Sequence, residues 1–485
     1  MGDKAPPTLV QLATWKLLEN QALAISALEE LPCDLFPLLF MEALNRKCTK
    51  LLKAMVQAWP FPCLPLGSLM KKTLDLKTLK IALSGLDMLL AQKDRPRKSK
   101  LQVLDLRKKH QGFWNVCSQT DHADCGPPPP KKMRTELTEF VPGPGEKQIL
   151  KVTVDLCLEL CDLDTSQRYL FEWAKEKKGL VQLCCKKLQL WEQCSCEVKE
   201  WHPYHLLDIM DLPHLEDLEL HYPWSLSNLA VFAFQLSEMR NLHTLFLSHV
   251  YIPVKMTPRE EEQRVRVFTS HLGKLDCLRQ LHLDHLAFLK GNLWEVLRSL
   301  KMPLESLSIS YCQLLKPDFQ CLPACENMGQ LKRLHLKAVV LSCPKALQQF
   351  LEKVACTLET LELEDCNLSG SLLTALLPAL SRCTQLTKVC FYGNRFSMPV
   401  LRKLIEHTAK LSQLSEEMYA VPLESYDEPD ALRAEIGSQY CTELMNLLCN
   451  FREPRKVSFS VDPCPECGYR CYYGMDCLLS CQMSN

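Results

Sequence analysis

Leucines recur with a fixed spacing between residues 304 and 396. Four segments there, LESLSISYCQL, LKRLHLKAVVL, LETLELEDCNL and LTKVCFYGNRF, fit one pattern, L-x-x-L-x-L-x-x-(N/C)-x-L. The first leucines of these segments are 27, 27 and 28 residues apart, and three weaker copies precede them in the same phase. Seven copies in one phase predict a repeat architecture. In chain order the copies begin at Leu215, Leu242, Leu278, Leu304, Leu331, Leu358 and Leu386.

The pattern within one copy predicts a short strand followed by a helix. Leucines at alternate positions give a strand with one apolar face, and a single strand cannot bury that face alone. The rest of each copy has helical spacing, as in Leu372, Leu373, Leu376 and Leu377. The fold class predicted is therefore α/β: a leucine-rich-repeat solenoid, or horseshoe, with parallel inner strands and outer helices.

The ninth position of a copy lies where the chain turns away from its strand. Cys312, Cys366 and Asn394 occupy it in three copies. A small polar group there can satisfy backbone groups that the strand ladder leaves unpaired. The other copies carry valine or leucine instead, so the series of polar turn residues is expected to be incomplete.

The segments outside the regular repeats predict four regions. Residues 1–95 show helical spacing in ALEELPCDLFPLLFMEAL and LLKAMVQAW, interrupted at WPFPCLPLG, and are assigned to a helical N-terminal cap. Residues 96–147 contain a first repeat strand, LQVLDLR, and a loop rich in proline, glycine and charge. Residues 148–425 form the array, which begins with degenerate copies and includes a helix start at TPRE. Residues 426–485 form a C-terminal cap with a cysteine-rich tail.

Composition excludes several functional classes. Hydrophobic residues make up 47% of the chain, which is too many for overall disorder. The formal net charge is zero, which argues against broad binding to nucleic acid or to an anionic membrane. No apolar run reaches the roughly 18 residues needed to span a bilayer. The chain has no phosphate-binding glycine loop, GxSxG or HExxH, so we expect no enzymatic activity.

Cysteine usage and one basic cluster bear on location. The N-terminus lacks a secretory signal, so the 27 cysteines are expected to be reduced thiols in an intracellular protein. Most of them occupy apolar positions and are interpreted as small buried side chains. Lys131, Lys132 and Arg134 either serve nuclear import or belong to a solvated charged loop.

Five segments in order, ALAISALEELPCDLFPLLFMEAL, AMVQAWPFPCLPLG, LCCKKLQL, YAVPLESY and PCPECG, resemble the PRAME family (preferentially expressed antigen in melanoma). The resemblance covers nearly the whole chain. It implies a non-catalytic substrate receptor of a cullin-2 RING ubiquitin ligase, with elongin B/C as a further partner, that directs a bound protein to proteasomal degradation. It also implies negative regulation of transcription, including retinoic acid receptor signalling, and of differentiation or apoptosis, in the cytoplasm and nucleus.

The resemblance gives the first helix a function. Leu9, Ala13 and Leu17 follow helical spacing and fit the BC-box, which binds elongin C by placing an apolar helix stripe in a groove. The alternative is an ordinary helix that covers the first repeat. The cullin-contacting box would comprise Leu31, Pro32 and Leu35.

The inner face of the horseshoe is the expected substrate surface. The third, fifth and seventh positions of each copy point away from the core, and such concave sheets bind proteins. His335 is predicted to face Glu362 on the next strand, and Lys337 to face Glu364, so these charges would balance each other. Aromatic residues dominate binding hot spots, which favours Phe246 and Tyr392 as anchors for a substrate. The candidate substrate-binding residues are Phe246, His282, Ser308, Arg333, His335, Glu362 and Tyr392.

Two motifs near the C-terminus have alternative interpretations. The cysteines of the tail can supply four thiolates to a structural zinc ion, or pack as a cysteine-rich cap. The string L-x-x-L-L at Leu444, Leu447 and Leu448 resembles a nuclear-receptor-binding helix, although such strings also arise as helix core. Two other functions therefore stay open: a binding or inhibitor horseshoe like the ribonuclease inhibitor, and a transcriptional corepressor. The candidate zinc ligands are Cys464, Cys467, Cys477 and Cys481.

Overall fold

The computed structural model describes residues 9–70, 75–92, 95–109, 113–114, 149–159, 163–191, 206–221, 223–427, 431–453, 455–461, 472–474 and 478–479. The chain divides into two compact units: residues 1–188 with 193–215, and residues 189–192 with 216–485. Within the described residues the fold is mixed α/β, with a parallel sheet and fourteen α-helices, which is consistent with a solenoid. None of these helices combines the length and the apolarity that crossing a bilayer requires.

Helices open the first unit. Asp75 caps the fifth of them, because its carboxylate accepts a hydrogen bond from the Thr78 N–H at 3.0 Å. The fully buried Trp59 indole donates to the Cys63 carbonyl at 2.9 Å and packs against aromatic rings of the third helix. The helices are α1 (Leu9–Glu19), α2 (Gln21–Ser26), α3 (Phe36–Asn45), α4 (Thr49–Gln57) and α5 (Leu76–Ala91).

Strands follow: β1 (Cys63–Pro65), β2 (Val103–Asp105), β3 (Leu150–Glu159) and β4 (Val181–Trp191), with α6 (Thr165–Glu176) between the last two. They belong to the same unit except for residues 189–191 at the end of β4. β2 confirms the predicted strand in LQVLDLR, and β3 and β4 confirm strands in the two degenerate copies. β1 was missed, because it lies in the segment interpreted as a proline-rich break. It pairs in parallel with β2, which in turn pairs with β3. The predicted boundaries at 95 and 147 therefore fall inside one compact unit.

Among the described residues of the second unit, nine strands pair in parallel in chain order, each beside the next. Leucines of equivalent positions are neighbours, as in the register of Leu307, Leu334 and Leu361. Each of these three side chains is about 1% exposed, so the strands share one apolar core. The parallel strands are β5 (Asp217–His221), β7 (Thr244–Tyr251), β8 (Gln280–Leu286), β9 (Ser306–Ser310), β10 (Arg333–Lys337), β11 (Thr360–Glu364), β12 (Lys388–Cys390), β13 (Glu416–Ala420) and β16 (Lys456–Ser460).

Short strands flank this array. β6 (Trp224–Ser225) pairs with the end of β7, and β14 (Tyr426–Asp427) forms an antiparallel pair with β15 (Ala431–Leu432). β17 (Tyr472–Gly474) adds to β16 in the antiparallel sense, and β18 (Leu478–Leu479) adds to β17. The edge of the parallel sheet at β16 is thereby covered.

Helices connect successive parallel strands. The predicted helix start at TPRE is confirmed as a capping box, in which the Glu260 N–H donates to Thr257 Oγ1 at 3.3 Å and Glu260 accepts from the Thr257 N–H at 2.8 Å. A Cβ on Gly370 would lie 2.8 Å from a methyl group of Val400, so glycine permits two helices to approach closely there. The helices are α7 (Leu226–Leu236), α8 (Pro258–Leu272), α9 (Leu293–Ser299), α10 (Lys316–Cys321), α11 (Pro344–Val354), α12 (Gly370–Leu380), α13 (Met398–Thr408) and α14 (Ala434–Phe451).

The turn after each strand repeats along the array. The eighth residue of five copies has a left-handed backbone with φ between 49° and 58°, a conformation that non-glycine residues adopt infrequently. In three of these copies the strand ends immediately before this residue, whereas β7 and β8 continue one or two residues past it. These residues are His249, His285, Tyr311, Ala338 and Asp365.

The polar residue at the ninth position stabilises this turn as predicted. The Asn394 amide oxygen accepts from the N–H groups of Cys366 and Leu368, each at 3.1 Å, and its amide nitrogen donates to the Leu363 carbonyl at 2.7 Å. Cys312 acts more weakly, since its sulfur accepts from one N–H at 3.4 Å. The polar ninth residues thus link neighbouring copies through their backbones.

Candidate functional site

The first helix presents the predicted apolar stripe to the outside of its own unit. Leu9 is 84% exposed and Ala13 is also exposed, while Leu17 is half-buried. The opposite side of α1 supplies the core contacts, with Thr14 and Leu18 buried. The helix therefore packs through one face and leaves the BC-box-like face accessible.

The candidate cullin box is only partly at the surface. Leu31 is buried, and its carbonyl accepts a hydrogen bond from the Lys98 ammonium group. Pro32 is exposed and precedes a short 3-10 helix, in which Leu35 is half-buried. Pro32 is thus the most accessible of the three predicted residues, and Leu31 has a packing role.

The third, fifth and seventh residues of the repeat copies lie on the side of the sheet opposite the leucine core. Together with the equivalent side chains of Trp191, β13 and β16, they form what we call the polar sheet face. The predicted register is confirmed, because His335 pairs with Glu362 and Lys337 with Glu364 on the neighbouring strand. Lys337 lies 3.2 Å from the Glu364 carboxylate. His335 lies 3.8 Å from Glu362 and 3.9 Å from Glu364.

A lattice of alternating charges extends from this pair. Lys388 lies 2.7 Å from Glu362 and 3.8 Å from Glu416. A hydrogen bond from Lys456 is the main reason that the pKa of Glu416 lies below its ordinary value, and Lys388 adds to the effect. The lysines and glutamates of β10 to β16 consequently satisfy one another.

The other part of the polar sheet face carries a row of four rings. Trp191 stacks on His221 with centroids 3.7 Å apart and planes 7° from parallel. His221 lies 4.4 Å from the half-buried Phe246, which in turn lies 6.1 Å from His282. Phe246 therefore belongs to an aromatic row. Sequence reasoning missed this row, because Trp191 lies outside the seven regular copies.

Tyr392 does not have the exposure expected of a binding anchor. Its side chain is 7% exposed, and its hydroxyl lies 2.5 Å from Ser458 Oγ on β16. The expectation failed because strands beyond the last predicted copy extend the sheet and cover this ring. Tyr392 is therefore a packing residue.

The remaining candidates surround the serine-rich strand β9. Ser308 is 8% exposed and lies in register between His282 and His335. Arg333 is half-buried and lies beside Ser306. The register thus brings four predicted residues from β8, β9 and β10 into one neighbourhood.

The nuclear-receptor-like string is core rather than surface. Leu444 and Leu448 are fully buried, and Leu447 is half-buried. They lie on α14, which packs against α13. A receptor that needed these leucines would have to remove Leu444 and Leu448 from the core, where the folded chain keeps them buried.

The predicted zinc ligands lie outside the described residues. Within the described residues two other groups have metal-type ligand atoms close together, Cys184 with Asp211 and His214, and His249 with Asp284 and His285. His214 contacts the Asp211 carboxylate directly, and burial raises the pKa of Cys184 to about 12. The direct contact between His214 and Asp211, beside a protonated thiol, accounts for the first group. In the second, the two imidazole rings stack 4.6 Å apart.

Comparison with known proteins supports one family over nearly the whole chain. Residues 6–114 match the model of the PRAME N-terminal domain, and residues 150–482 match that of the PRAME C-terminal domain. Human PRAME family member 12 is 44% identical over 485 residues, covering 99% of this chain and 98% of the relative. Human PRAME family members 8 and 7 are each 42% identical over 482 residues, covering 98% of this chain and 99% of each relative. The chain belongs to the PRAME family.

Proposed function

We propose that this chain is a non-catalytic substrate-recognition adaptor of a cullin-2 RING ubiquitin ligase. In this proposal α1 binds elongin B/C, and the N-terminal helices act as a cap on a leucine-rich-repeat horseshoe. The polar sheet face holds the protein that is to be ubiquitinated. The observation that carries the proposal is the outward-facing stripe of Leu9 and Ala13.

The stripe suits a groove on a partner because of its size and its chemistry. Leu9 is 84% exposed, and Leu12 and Trp15 on the same helix are 45% and 38% exposed. Contiguous apolar surface of this kind marks an interaction site. Burying one leucine side chain in a partner's groove contributes roughly 1.5–3 kcal/mol, and the small Ala13 side chain permits close helix approach. This is the helix-in-groove mode of recognition.

The proposed role needs no catalytic residue in this chain. The RING subunit and its ubiquitin-charged partner would perform the chemistry, and the adaptor would only position a substrate. Degradation of a bound regulator would account for negative regulation of transcription, differentiation or apoptosis. We place this activity in the cytoplasm and nucleus, where the ligase components are expected.

A single substitution tests the elongin contact. Leu9→Asp places a charge on the exposed stripe, so we expect elongin B/C to be lost from the affinity-purified protein. The melting temperature should stay within about 2 °C of the wild-type value, since exposed substitutions change stability little. Leu18→Asp is the matched control on the buried side of α1, where Leu18 is 6% exposed. That change should lower the melting temperature clearly. Elongin retained by the Leu9→Asp protein, or lost only together with the fold, would refute the proposal.

The aromatic row on the polar sheet face supports a second candidate function. Trp191, His221 and Phe246 offer anchors to a protein partner without any need for elongin. A binding or inhibitor scaffold without ligase activity would therefore keep its partner after the Leu9→Asp change and would show no elongin in the wild-type complex.

A further inference from the structure

The serine residues of β9 form a recess in the polar sheet face. Ser306, Ser308 and Ser310 occupy the third, fifth and seventh positions of their copy, yet they are only 5%, 8% and 9% exposed. The reason lies in the register, because each serine has a larger side chain beside it on β8 and another on β10. We call these three residues the serine recess.

The walls of the serine recess are rich in groups that donate hydrogen bonds. His282 lies beside Ser308 on one side and His335 on the other. His335 Nδ1 is 3.3 Å from Ser308 Oγ, whereas His335 Nε2 is buried without a hydrogen bond to any described residue. Within the same described part of the chain, the Ser306 hydroxyl also makes no hydrogen bond.

Arg333 differs from the other cations of this face. The lysines of β10, β12 and β16 each lie within ion-pair distance of a glutamate. Arg333 has no carboxylate within 4.0 Å among the described residues. Its neighbours in register are Ser306 and Thr360, so its backbone lies between two hydroxyl-bearing residues. The guanidinium that it carries has five N–H donors.

Arg333 gives this end of the recess a formal positive charge. Burial lowers the pKa of His282, and the proximity of His335 and Arg333 lowers it further against the opposing effect of Glu219. The nearby carboxylates already have partners: Asp284 is 2.9 Å from His285, and the lysines of the charge lattice neutralise the glutamates of β11. An anion that entered the recess would therefore meet Arg333 before it met an unpaired carboxylate.

We propose that the serine recess and Arg333 bind the phosphate group of a phosphorylated serine or threonine in the substrate protein. The proposal rests on the adaptor function given above and adds the class of substrate. A phosphate ester offers three terminal oxygens and a charge of about −1.5 to −2, which matches one arginine, two histidines and the serine hydroxyls better than a two-oxygen carboxylate does. Strands two apart in a sheet are about 10 Å apart, so His282 and His335 flank Ser308 from opposite sides.

The test compares two variants of the polar sheet face in the full-length chain. Arg333→Gln removes the cation that has no carboxylate partner among the described residues, and Lys388→Gln, two strands from β10, removes a cation that already has a glutamate partner. Immobilised protein is offered pools of short synthetic peptides, degenerate except for a central phosphoserine, serine or glutamate, and the retained peptides are quantified by mass spectrometry. Melting temperatures and elongin co-purification are measured on the same preparations.

We expect the wild-type chain and the Lys388→Gln variant to retain the phosphoserine pool at least about tenfold over the serine pool, since a phosphate forms one to three charge-assisted hydrogen bonds. Arg333→Gln should lose this preference at an unchanged melting temperature. Equal retention of the phosphoserine and serine pools, or equal effects of the two variants, would overturn the proposal. Equal retention of the glutamate pool would identify a carboxylate site and overturn the phosphate assignment. Elongin co-purification reports separately on the adaptor function.

Discussion

Asn394 offers a direct test of how neighbouring copies are held together. The side chain is 2% exposed, and its oxygen accepts from two buried backbone N–H groups, those of Cys366 and Leu368. Asn394→Ala leaves both donors without a partner. Each buried unsatisfied group costs about 1–3 kcal/mol, so the expected loss of local stability is about 2–6 kcal/mol.

Hydrogen exchange is the suitable assay, because a chain with two compact units need not unfold in one transition. The amides of Cys366 and Leu368 should exchange at least roughly 30-fold faster in the variant, which corresponds to the lower limit of about 2 kcal/mol. Peptides from β7 and β8 serve as an internal reference and should keep their protection. Cys312→Ala is the matched control, since the thiol there accepts from a single N–H at 3.4 Å.

The comparison between the two variants can refute the reasoning. A sulfur acceptor forms a weaker hydrogen bond than an amide oxygen, so Cys312→Ala should cost about 1 kcal/mol or less. If both variants changed exchange by the same factor, the ninth position would act through packing and not through its hydrogen bonds. Unchanged exchange at Leu368 in the Asn394→Ala protein would mean that the turn keeps its geometry without the amide.

Four further substitutions have defined outcomes. Leu334→Asp puts an unpaired charge at a position that is 1% exposed and should unfold the array in a thermal melt, whereas Glu362→Lys on the polar sheet face should keep the fold and change the set of co-purified partners. Arg452→Met removes the cation that bonds the buried Glu417 carboxylate at 2.5 Å and should cost about 3–5 kcal/mol at pH 7.5. Burial already raises the pKa of Glu417, so a protonated Glu417 is tolerated and the loss, measured by urea unfolding, should shrink as the pH falls towards 4. If the tail holds zinc, elemental analysis should find about one equivalent per chain, and Cys464→Ser should abolish it; metal-free protein with full stability contradicts that expectation.

The strands of the array were predictable because one physical constraint repeats. Apolar residues at the first, fourth and sixth positions must enter a shared core, and Leu331, Leu334 and Leu336 are each 0–1% exposed. The phase of one copy then determines which side chains reach the polar sheet face. The same logic predicted the pairing of His335 with Glu362, which the register confirms.

Short or distant elements were beyond this reasoning. β1 has three residues, and its pairing partner β2 begins 40 residues after β1 does, as the register of Cys63 with Val103 shows. A strand of three residues is too short to show a periodic pattern in the sequence, and the prolines around it suggest an interruption of regular secondary structure. The low exposure of Tyr392 was not predicted for a related reason, because the Ser458 hydroxyl that its own hydroxyl contacts is 66 residues away in the sequence.

The candidate site depends on how neighbouring strands align across the sheet, and the spacing of residues in the sequence does not give this alignment. Trp191, His221 and Phe246 come from copies of different length, and only their alignment across the sheet forms a row of rings. The serine recess has the same origin, since a serine is hidden only when both neighbouring strands carry longer side chains. Sequence reasoning selected several of these residues as candidates but could not show which of them are neighbours.

The distribution of charge decides which part of the polar sheet face can select a partner. Ion pairs exposed to water contribute only about 0–1 kcal/mol each, and the lattice around Lys388 and Glu362 already satisfies its own charges. A partner that bound there would have to separate those pairs and replace them with equivalent contacts, so the net gain would be small. The aromatic row and Arg333 face no such competition, because rings retain exposed apolar surface and this guanidinium lacks a carboxylate among the described residues. Selectivity should therefore reside on β5 to β10, and variants at Phe246 or Arg333 should weaken substrate binding more than charge reversals within the lattice.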